Sequence, residues 1–314
     1  MHLRLLQFLA TLLLLGLSAG KVAYAEPLLY AESEDGIDGY RLVNGFAGKP
    51  IVSYTVTRNR VCVNAPFALG PFGSVYVVTC DNGYFPVGVT EFAAGTNHVI
   101  RRIRLPRKPN SIFGPGAIAV DNGGRIYLSY QYNEISAGPT KRRHVRIPYS
   151  GTLVYSSVAS GHVSPRLVLN AYGAVGAFDA SGRLYLASYS AVQIWANPST
   201  APLLVATIQA PENCSILGLA ISTTGELYLS CSTSAGSFIV VYPAGINGVG
   251  VPAGLFVPPA LGFQIGVVGT TVYTARSDGE GGVMRFDSSQ ETRAFQQVIR
   301  WPLRPSYTSV LVHA

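Results

Sequence analysis

Six tyrosines recur along the chain at intervals of about 49 residues, and each lies in a short run rich in Leu and Val. Two of the clearest copies, 116–129 and 175–188, consist of an apolar strand, a tight polar turn and a second apolar strand. A repeat of this length marks a stacked unit that cannot bury its apolar face alone. The pattern therefore predicts a β-propeller built on Tyr30, Tyr76, Tyr127, Tyr185, Tyr228 and Tyr273.

Each repeat contains two more strand-like segments after its tyrosine. The first places an aromatic residue between polar ones, as at Tyr40 and Trp195, and the second is more apolar, as at 51–56 and 203–208. Four such strands in each of six repeats predict an all-β, six-bladed propeller with four-stranded antiparallel blades. We expect residues 26–314 to form this single domain.

The two ends of the repeat array are complementary. The first repeat begins so close to Leu28 that it lacks a leading strand, whereas 307–312 is a spare strand without a blade of its own. We expect the C-terminal strand to pair with the N-terminal blade and close the ring. Such pairing removes open sheet edges, which a β-protein must otherwise protect.

The N-terminal segment has the features of a secretory signal. Arg4 precedes an apolar run over 5–17, and Ala23 and Ala25 give the small-x-small pattern that signal peptidase cleaves. We therefore predict that residues 1–25 are removed and that the protein is secreted or periplasmic. A membrane anchor is the alternative, but the apolar run is short for a bilayer span, so we predict no span.

The four cysteines occupy matching places around two of the repeat tyrosines. In each pair one cysteine lies fourteen residues before the tyrosine, and the other lies three or four residues after it. If each strand pair is an antiparallel hairpin, both cysteines meet at its open end. Zinc is the alternative, but no Cys-x-x-Cys motif favours it. We predict two disulfides formed in an oxidising compartment, Cys62–Cys80 and Cys214–Cys231.

Two stretches carry a family resemblance: Leu-Tyr-Leu-Ala at 184–187 and Val-Tyr-Pro-Ala-Gly at 241–245. They resemble repeats of the NHL and SMP-30-like group of propellers, and most closely those of uncharacterised exported bacterial members. The resemblance covers nearly all of 28–313, but its motifs are structural. It implies a fold and an envelope or extracellular location, and it does not imply a reaction.

Some six-bladed SMP-30-like propellers are lactonases or esterases that hold a divalent metal at the channel mouth, so the resemblance implies this activity as an alternative. Comparable positions in this chain offer amides and one carboxylate. Because amides alone bind a hard cation weakly, we predict no cofactor unless a divalent cation binds under this alternative. The amides could instead hydrogen-bond a neutral sugar, or they could cap turns, which we favour. These residues are Asn64, Asn110, Asn170, Glu212, Asn213 and Gln264.

The sequence predicts no catalytic residue. His98, His144 and His162 fall in predicted outer strands or loops, and no Gly-x-Ser-x-Gly motif accompanies them. Asp121 and Asp179 lie beside glycines in the turns between first and second strands, where aspartate is a preferred turn residue. We therefore interpret both carboxylates as turn-forming residues and not as catalytic groups.

Two basic runs, 101–108 and 141–146, stand out in a chain with 12% charged residues. The strand order brings parts of both to one face, the upper face, which carries the loops from second to third strands and from blade to blade. The runs could bind an anionic polymer or an acidic protein surface, but 101–104 is better interpreted as a solvated strand edge. No aromatic platform interleaves the charges, which argues against nucleic acid. The predicted patch is Arg107, Lys108, Lys141, Arg142, Arg143 and Arg146.

Together these features predict a monomeric binding platform whose upper-face loops contact a protein, a glycan or an anionic polymer. The alternative is a metal-dependent lactonase or esterase with its site at the channel mouth. A second carboxylate in the channel would favour the enzyme, whereas a contiguous basic or aromatic patch on the upper face would favour binding.

Overall fold

The computed structural model describes residues 27–33, 36–55, 61–62, 66–81, 85–106, 111–134, 150–246, 251–258, 261–262, 264–276, 282–289, 295–299 and 309–313. These residues form six antiparallel sheets, the blades of a propeller ring, as the sequence predicts. The predicted signal segment, 1–25, lies outside them. Over the described ranges, no helix has the length and apolar character needed to cross a membrane.

In chain order, the strands are β1 (Leu28–Ser33), β2 (Gly36–Val43), β3 (Phe46–Ala47), β4 (Val52–Thr55), β5 (Phe67–Leu69), β6 (Val75–Asp81), β7 (Phe85–Phe92), β8 (Val99–Arg104), β9 (Ser111–Val120), β10 (Ile126–Glu134), β11 (Ser150–Tyr155), β12 (Leu167–Leu169), β13 (Val175–Phe178), β14 (Leu184–Ala187), β15 (Ala191–Ala196), β16 (Leu203–Gln209), β17 (Ser215–Ile221), β18 (Leu227–Thr233), β19 (Gly236–Tyr242), β20 (Gly254–Phe256), β21 (Ile265–Val268), β22 (Thr271–Ala275), β23 (Val283–Asp287), β24 (Gln296–Ile299) and β25 (Ser309–His313). A short 3₁₀ turn, Pro71–Gly73, joins β5 to β6.

In blades two to six the strands follow chain order from an inner strand beside the central channel to an outer edge, whereas blade one takes its inner strand from the C-terminal β25. Blades two to six are β5–β8, β9–β12, β13–β16, β17–β20 and β21–β24. Blade one has β25, β1 and β2, and both short strands β3 and β4 pair with β2 in the outer position. All six repeat tyrosines lie in second strands, which confirms the assignment made from their spacing.

The C-terminal strand closes the ring, as predicted. β25 pairs antiparallel with β1, with Leu311 opposite Tyr30 and Val312 opposite Leu29. It also lies close to the inner strand of blade six, because a Cβ atom added at Gly266 would come within 2.8 Å of Val312 Cγ2. Glycine at that position therefore lets the last and first blades approach each other.

Both predicted disulfides are present. Cys62 and Cys80 have Cα atoms 4.9 Å apart, and Cys214 and Cys231 have Cα atoms 5.3 Å apart. Each bond ties the segment that enters a blade to the end of that blade's second strand. Two such bonds indicate an oxidising, extracytoplasmic environment, since cytosolic thiols are kept reduced.

Asp121 organises the turn between β9 and β10. Its Oδ1 accepts hydrogen bonds from the backbone N–H groups of Gly123 and Arg125, both at 2.9 Å. Its Oδ2 accepts from Arg125 Nε at 2.7 Å and from the Tyr127 hydroxyl at 3.3 Å. The repeat tyrosine is thus buried between blades while its hydroxyl reaches the turn on the lower face, opposite the upper face. Burial raises the pKa of Tyr127 to about 12.

Blade four repeats this arrangement. Asp179 accepts hydrogen bonds from the backbone and side chain of Ser181, from the backbone and Nε of Arg183, and from the Tyr185 hydroxyl. Both aspartates are therefore turn-forming residues, which confirms that interpretation. In blade five the turn carboxylate occupies a later position. It belongs to Glu226, which accepts a hydrogen bond from the Tyr228 hydroxyl at 3.3 Å.

Arg101 corrects the interpretation of 101–104 as a solvated strand edge. Its side chain is only 10% exposed and is paired with Glu91, the residue opposite it on β7. The guanidinium also donates to the Tyr76 hydroxyl at 3.1 Å within blade two. It reaches blade three as well, donating to the carbonyls of Gly124, at 3.1 Å, and Ser157. Arg101 therefore fastens two adjacent blades together.

The outer edge of blade two is also covered. Gly161, in the loop that follows β11, forms a parallel β-bridge with β8. Its N–H donates to the Arg102 carbonyl at 2.7 Å, and its carbonyl accepts from the Arg104 N–H at 2.9 Å. Blade three thus adds an isolated parallel β-bridge to the outer edge of blade two. This contact protects an edge that would otherwise offer free backbone groups.

Replacing Arg101 with methionine tests the interblade contact. We expect Arg101→Met to lower the free energy of unfolding by about 3 kcal/mol, because the buried Glu91 carboxylate and several carbonyls lose their donor. The matched control is Arg102→Met on the same strand, whose exposed side chain should cost less than about 0.5 kcal/mol. Urea unfolding at pH 7 measures both, and equal losses would contradict a structural role specific to Arg101.

Asp179 makes stability depend on pH. Burial acts to raise its pKa, but the hydrogen bonds from Ser181 and Arg183 outweigh it and hold the pKa below the usual value. A carboxyl with a lowered pKa in the folded state stabilises the protein above its unfolded pKa, about 3.9, and loses that contribution as the pH falls through the folded pKa. We expect Asp179→Asn to cost about 1–2 kcal/mol at pH 7 and progressively less below pH ~4.

Urea unfolding of wild type and Asp179→Asn at a series of pH values measures this difference. All other carboxyl groups are common to both proteins, so their titration cancels in the comparison. A difference that stays constant from pH 7 to pH ~3 would show that the charge on Asp179 contributes nothing.

Candidate functional site

Several of the predicted site residues lie outside the described part of the chain, so the structure does not place them. They are Asn64, Asn110 and the whole predicted basic patch, Arg107, Lys108, Lys141, Arg142, Arg143 and Arg146. Of the remaining candidates, Asn170, Glu212 and Asn213 are exposed on upper-face loops, and Gln264 lines the central channel. The structure therefore divides these four residues between two locations instead of gathering them into one ring.

The channel is a cavity of about 350 Å³ lined by the inner strands of all six blades. Its described polar lining residues include Asp121, Asn122, Gln264 and His313. Gln264 Oε1 is buried without a hydrogen-bond partner, whereas Asp121 is fully engaged in its turn. Among the described residues, no three His, Cys, Asp or Glu side chains lie close enough together to hold a metal ion. The described part of the channel thus offers amide and imidazole groups but no unengaged carboxylate.

His313 is a channel residue that the sequence analysis did not identify. The imidazole packs against the lower-face turn of blade two, since a Cβ atom at Gly73 would lie 2.9 Å from His313 Cδ2. The position of His313 could have been predicted from the ring closure, because a C-terminal strand in the inner position must place its last residues beside the channel.

Two tyrosines outside the repeat pattern lie in upper-face loops of blade four. Tyr189, between β14 and β15, is 68% exposed. Tyr172, just before β13, is partly buried; this burial raises the pKa of its hydroxyl, and the nearby Tyr189 raises it further. The Ala174 N–H donates to the Ala187 carbonyl at 2.7 Å, so the backbone segments that carry the two tyrosines lie side by side.

Interblade hydrogen bonds hold both tyrosine loops in place. The Gly173 carbonyl, next to Tyr172, accepts from the Ala117 N–H of blade three at 2.8 Å. The Tyr189 carbonyl accepts from the Ile216 N–H of blade five at 2.8 Å. The two rings are therefore carried on backbone that is fixed to three successive blades.

Three of the predicted polar residues lie in the Tyr172 loop or in the segment of blade five to which the Tyr189 loop is hydrogen-bonded. Asn170 precedes Tyr172 by two positions, while Glu212 and Asn213 belong to the turn that leads into β17, where Tyr189 is bonded. Asn213 has a φ of 61°, a left-handed turn conformation that asparagine tolerates. The Cys214–Cys231 disulfide anchors the turn at its next residue. We call Asn170, Tyr172, Tyr189, Glu212 and Asn213 the tyrosine platform.

The platform combines two kinds of chemistry. Tyrosine rings present apolar faces together with a hydroxyl, and the two amides and the carboxylate add donors and acceptors. All three polar side chains are exposed, so a ligand can reach them without displacing protein groups. A sequence search for periodic residues misses these tyrosines, because they lie in loops and do not follow the repeat. They could have been found in the sequence as aromatic residues in predicted turn segments.

No protein-family model matches the chain, and no curated protein matches it. Solved structures do match the chain. A "putative 6-phosphogluconolactonase" from Bacteroides fragilis is 15% identical, with a TM-score of 0.54, and the match covers 94% of this chain and 99% of that one. A protein of unknown function from Bacteroides caccae is 10% identical, with a TM-score of 0.54, over 91% and 98%. A Lactobacillus plantarum protein is 14% identical, with a TM-score of 0.55, over 92% and 99%.

At these identities the likeness shows the fold alone. Membership of the NHL or SMP-30-like group stays a prediction from the sequence.

Proposed function

We propose that the protein is a secreted or periplasmic binding protein that takes a neutral glycan on the tyrosine platform. The observation that supports this most directly is the pair of neighbouring loop segments that carry Tyr172 and Tyr189, with Tyr189 68% exposed on the upper face. Sugar rings have apolar faces that stack on aromatic rings and hydroxyls that pair with amides and carboxylates. The platform offers all of these groups on one surface.

The fixed backbone of the platform favours binding. A ligand that meets a preorganised surface does not have to order loops as it binds, so less of the interaction free energy is lost. The bonds from Ala117 and Ile216 to the two tyrosine loops provide that order before any ligand arrives. Tyrosine is well suited to such surfaces because it supplies a large contact area with only two rotatable side-chain angles.

The alternative remains a metal-dependent lactonase or esterase, to which the name of the Bacteroides fragilis protein loosely corresponds. In this chain it would require Glu212, together with Asn170 or Asn213, to hold a divalent cation. One carboxylate with two amides is a weak donor set for a hard cation. The platform proposal requires only contacts that these exposed side chains can make without a metal.

The proposal is tested by measuring neutral oligosaccharide binding to the purified protein on a glycan array, followed by calorimetry. We expect Tyr189→Ala to weaken affinity for the best array ligand about tenfold or more, because the exposed stacking surface is lost. Tyr189→Phe keeps the ring and should retain most of the affinity. Phe72→Ala is the control, since it removes an aromatic residue that is 95% exposed on the opposite face.

Equal affinities for wild type and Tyr189→Ala would contradict the platform proposal, as would an array with no neutral ligand. Calorimetry with calcium, magnesium, manganese and zinc is the second measurement. Stoichiometric metal binding that is abolished by Glu212→Ala would support the hydrolase alternative and would direct screening toward lactones.

A further inference from the structure

A second concave surface lies on blade two, away from the tyrosine platform on blades four and five. It is a groove of about 630 Å³ at the upper end of strands β6, β7 and β8. Its chemistry differs from that of the platform because it contains two arginines and a histidine. The polar side chains that line it are Thr79, Asp81, Thr90, Arg102, Arg104 and His162.

The pleat of blade two brings these residues to one side. Thr90 lies opposite Arg102, and Gly88 lies opposite both Arg104 and Thr79 in the strand register. Because side chains alternate between the faces of a sheet, Arg102 and Arg104 share one face, while Arg101 points to the other and is used between blades. In this basic run, Arg101 therefore holds two blades together, while Arg102 and Arg104 line the groove.

A buried hydroxyl pair forms part of the groove wall. Thr79 Oγ1 and Thr90 Oγ1 are 3.3 Å apart, and the two residues are only 8% and 2% exposed. A pair of hydroxyls that shares one hydrogen bond uses one of its two hydrogens, so the other hydrogen has no acceptor among the described residues. Buried polar groups are nearly always satisfied, and this one is satisfied if a ligand in the groove supplies an acceptor.

Gly88 keeps the groove open beside that pair. A Cβ atom added there would lie 3.4 Å from Thr79 Oγ1 and 2.6 Å from the Ile103 carbonyl oxygen. The second distance is shorter than any normal contact, so a side chain at position 88 would collide with the backbone of β8. Glycine therefore leaves space at the point where β6, β7 and β8 come together.

The charged groups of the groove are available to a ligand. Arg102 is exposed, and within the described residues its guanidinium makes no hydrogen bond or ion pair. The guanidinium of Arg104 pairs with Nε2 of His162, which holds that exposed arginine beside the groove. Asp81 is the one carboxylate among the described lining residues, and it can accept hydrogen bonds from hydroxyl groups.

We propose that this groove binds the oxyanion group of an acidic oligosaccharide, either a uronate carboxylate or a sulfate ester. Two guanidinium groups offer the forked N–H donors that such oxyanions accept, the threonine pair adds a hydroxyl donor, and Asp81 accepts from sugar hydroxyls. The volume lies in the range of small-ligand sites, about 300–1,000 Å³. The site is independent of the proposed neutral-glycan site, and either can exist without the other.

The test is calorimetry on the full mature protein with three oligosaccharides of matched length: an oligouronate, a sulfated oligosaccharide and a neutral glucan. We expect Arg102→Gln to weaken binding of the acidic ligand about tenfold and to reduce its salt dependence. Thr90→Val, which removes a hydroxyl at nearly constant volume, should weaken it as well. Arg166→Gln makes the same charge change at an exposed arginine of blade three and should have no effect.

Binding of the uronate alone identifies a carboxylate site, and binding of the sulfated ligand alone identifies a sulfate site; either result supports the proposal. Tyr189→Ala should leave the acidic ligand's affinity unchanged, which separates this site from the platform. The proposal is overturned if neither acidic ligand binds at millimolar concentration, if the neutral glucan binds equally well, or if Arg102→Gln and Arg166→Gln behave alike. Thermal unfolding of each variant confirms that it is folded before titration.

Discussion

Pairing between β25 and β1 is the contact on which the ring depends, because blades are stable only when both faces are covered by neighbours. The C-terminal strand serves two cores at once. Leu311 packs against the core that runs from blade one through blades two and three, whereas Val310 and Val312 pack in the core between blades one and six. Without this strand, the first blade would lose its inner strand and two interblade cores would open together. A short segment therefore has an effect on stability that is larger than its own buried area.

Much of this fold could be predicted because it repeats. The ring of each repeat tyrosine is buried between blades. In blades three, four and five the hydroxyl also donates to a turn carboxylate, on Asp121, Asp179 or Glu226. These contacts fix the residue type and its distance from the turn, so they leave a periodic signal in the sequence. Ring closure could be predicted because the first repeat lacks a strand and the C-terminal end of the array has one to spare. The disulfides followed from their matching positions in two hairpins.

The surfaces could not be predicted in the same way, because they depend on contacts between blades that have no period. Arg101 faces Glu91 across a strand pair, which sequence spacing can suggest, but its bond to the Ser157 carbonyl joins residues 56 positions apart in the chain. The segments that carry Tyr172 and Tyr189 become neighbours only when their loops are fastened to blades three and five. The predicted ring of amides stays a prediction, because Asn64 and Asn110 lie outside the described residues. Among its described members, Gln264 lines the channel and Asn170 lies on an exposed loop.

The tyrosine platform and the groove on blade two differ in charge. The platform has one charged side chain, Glu212, whereas the groove on blade two is lined by Arg102 and Arg104. A neutral sugar on the platform need not displace ions, while an acidic one in the groove must, so the two sites respond differently to salt. Both surfaces lie on a closed ring, and Arg101 fixes blade two to blade three, which also bonds the Tyr172 loop. The separation between the sites is therefore set by the ring and not by flexible loops.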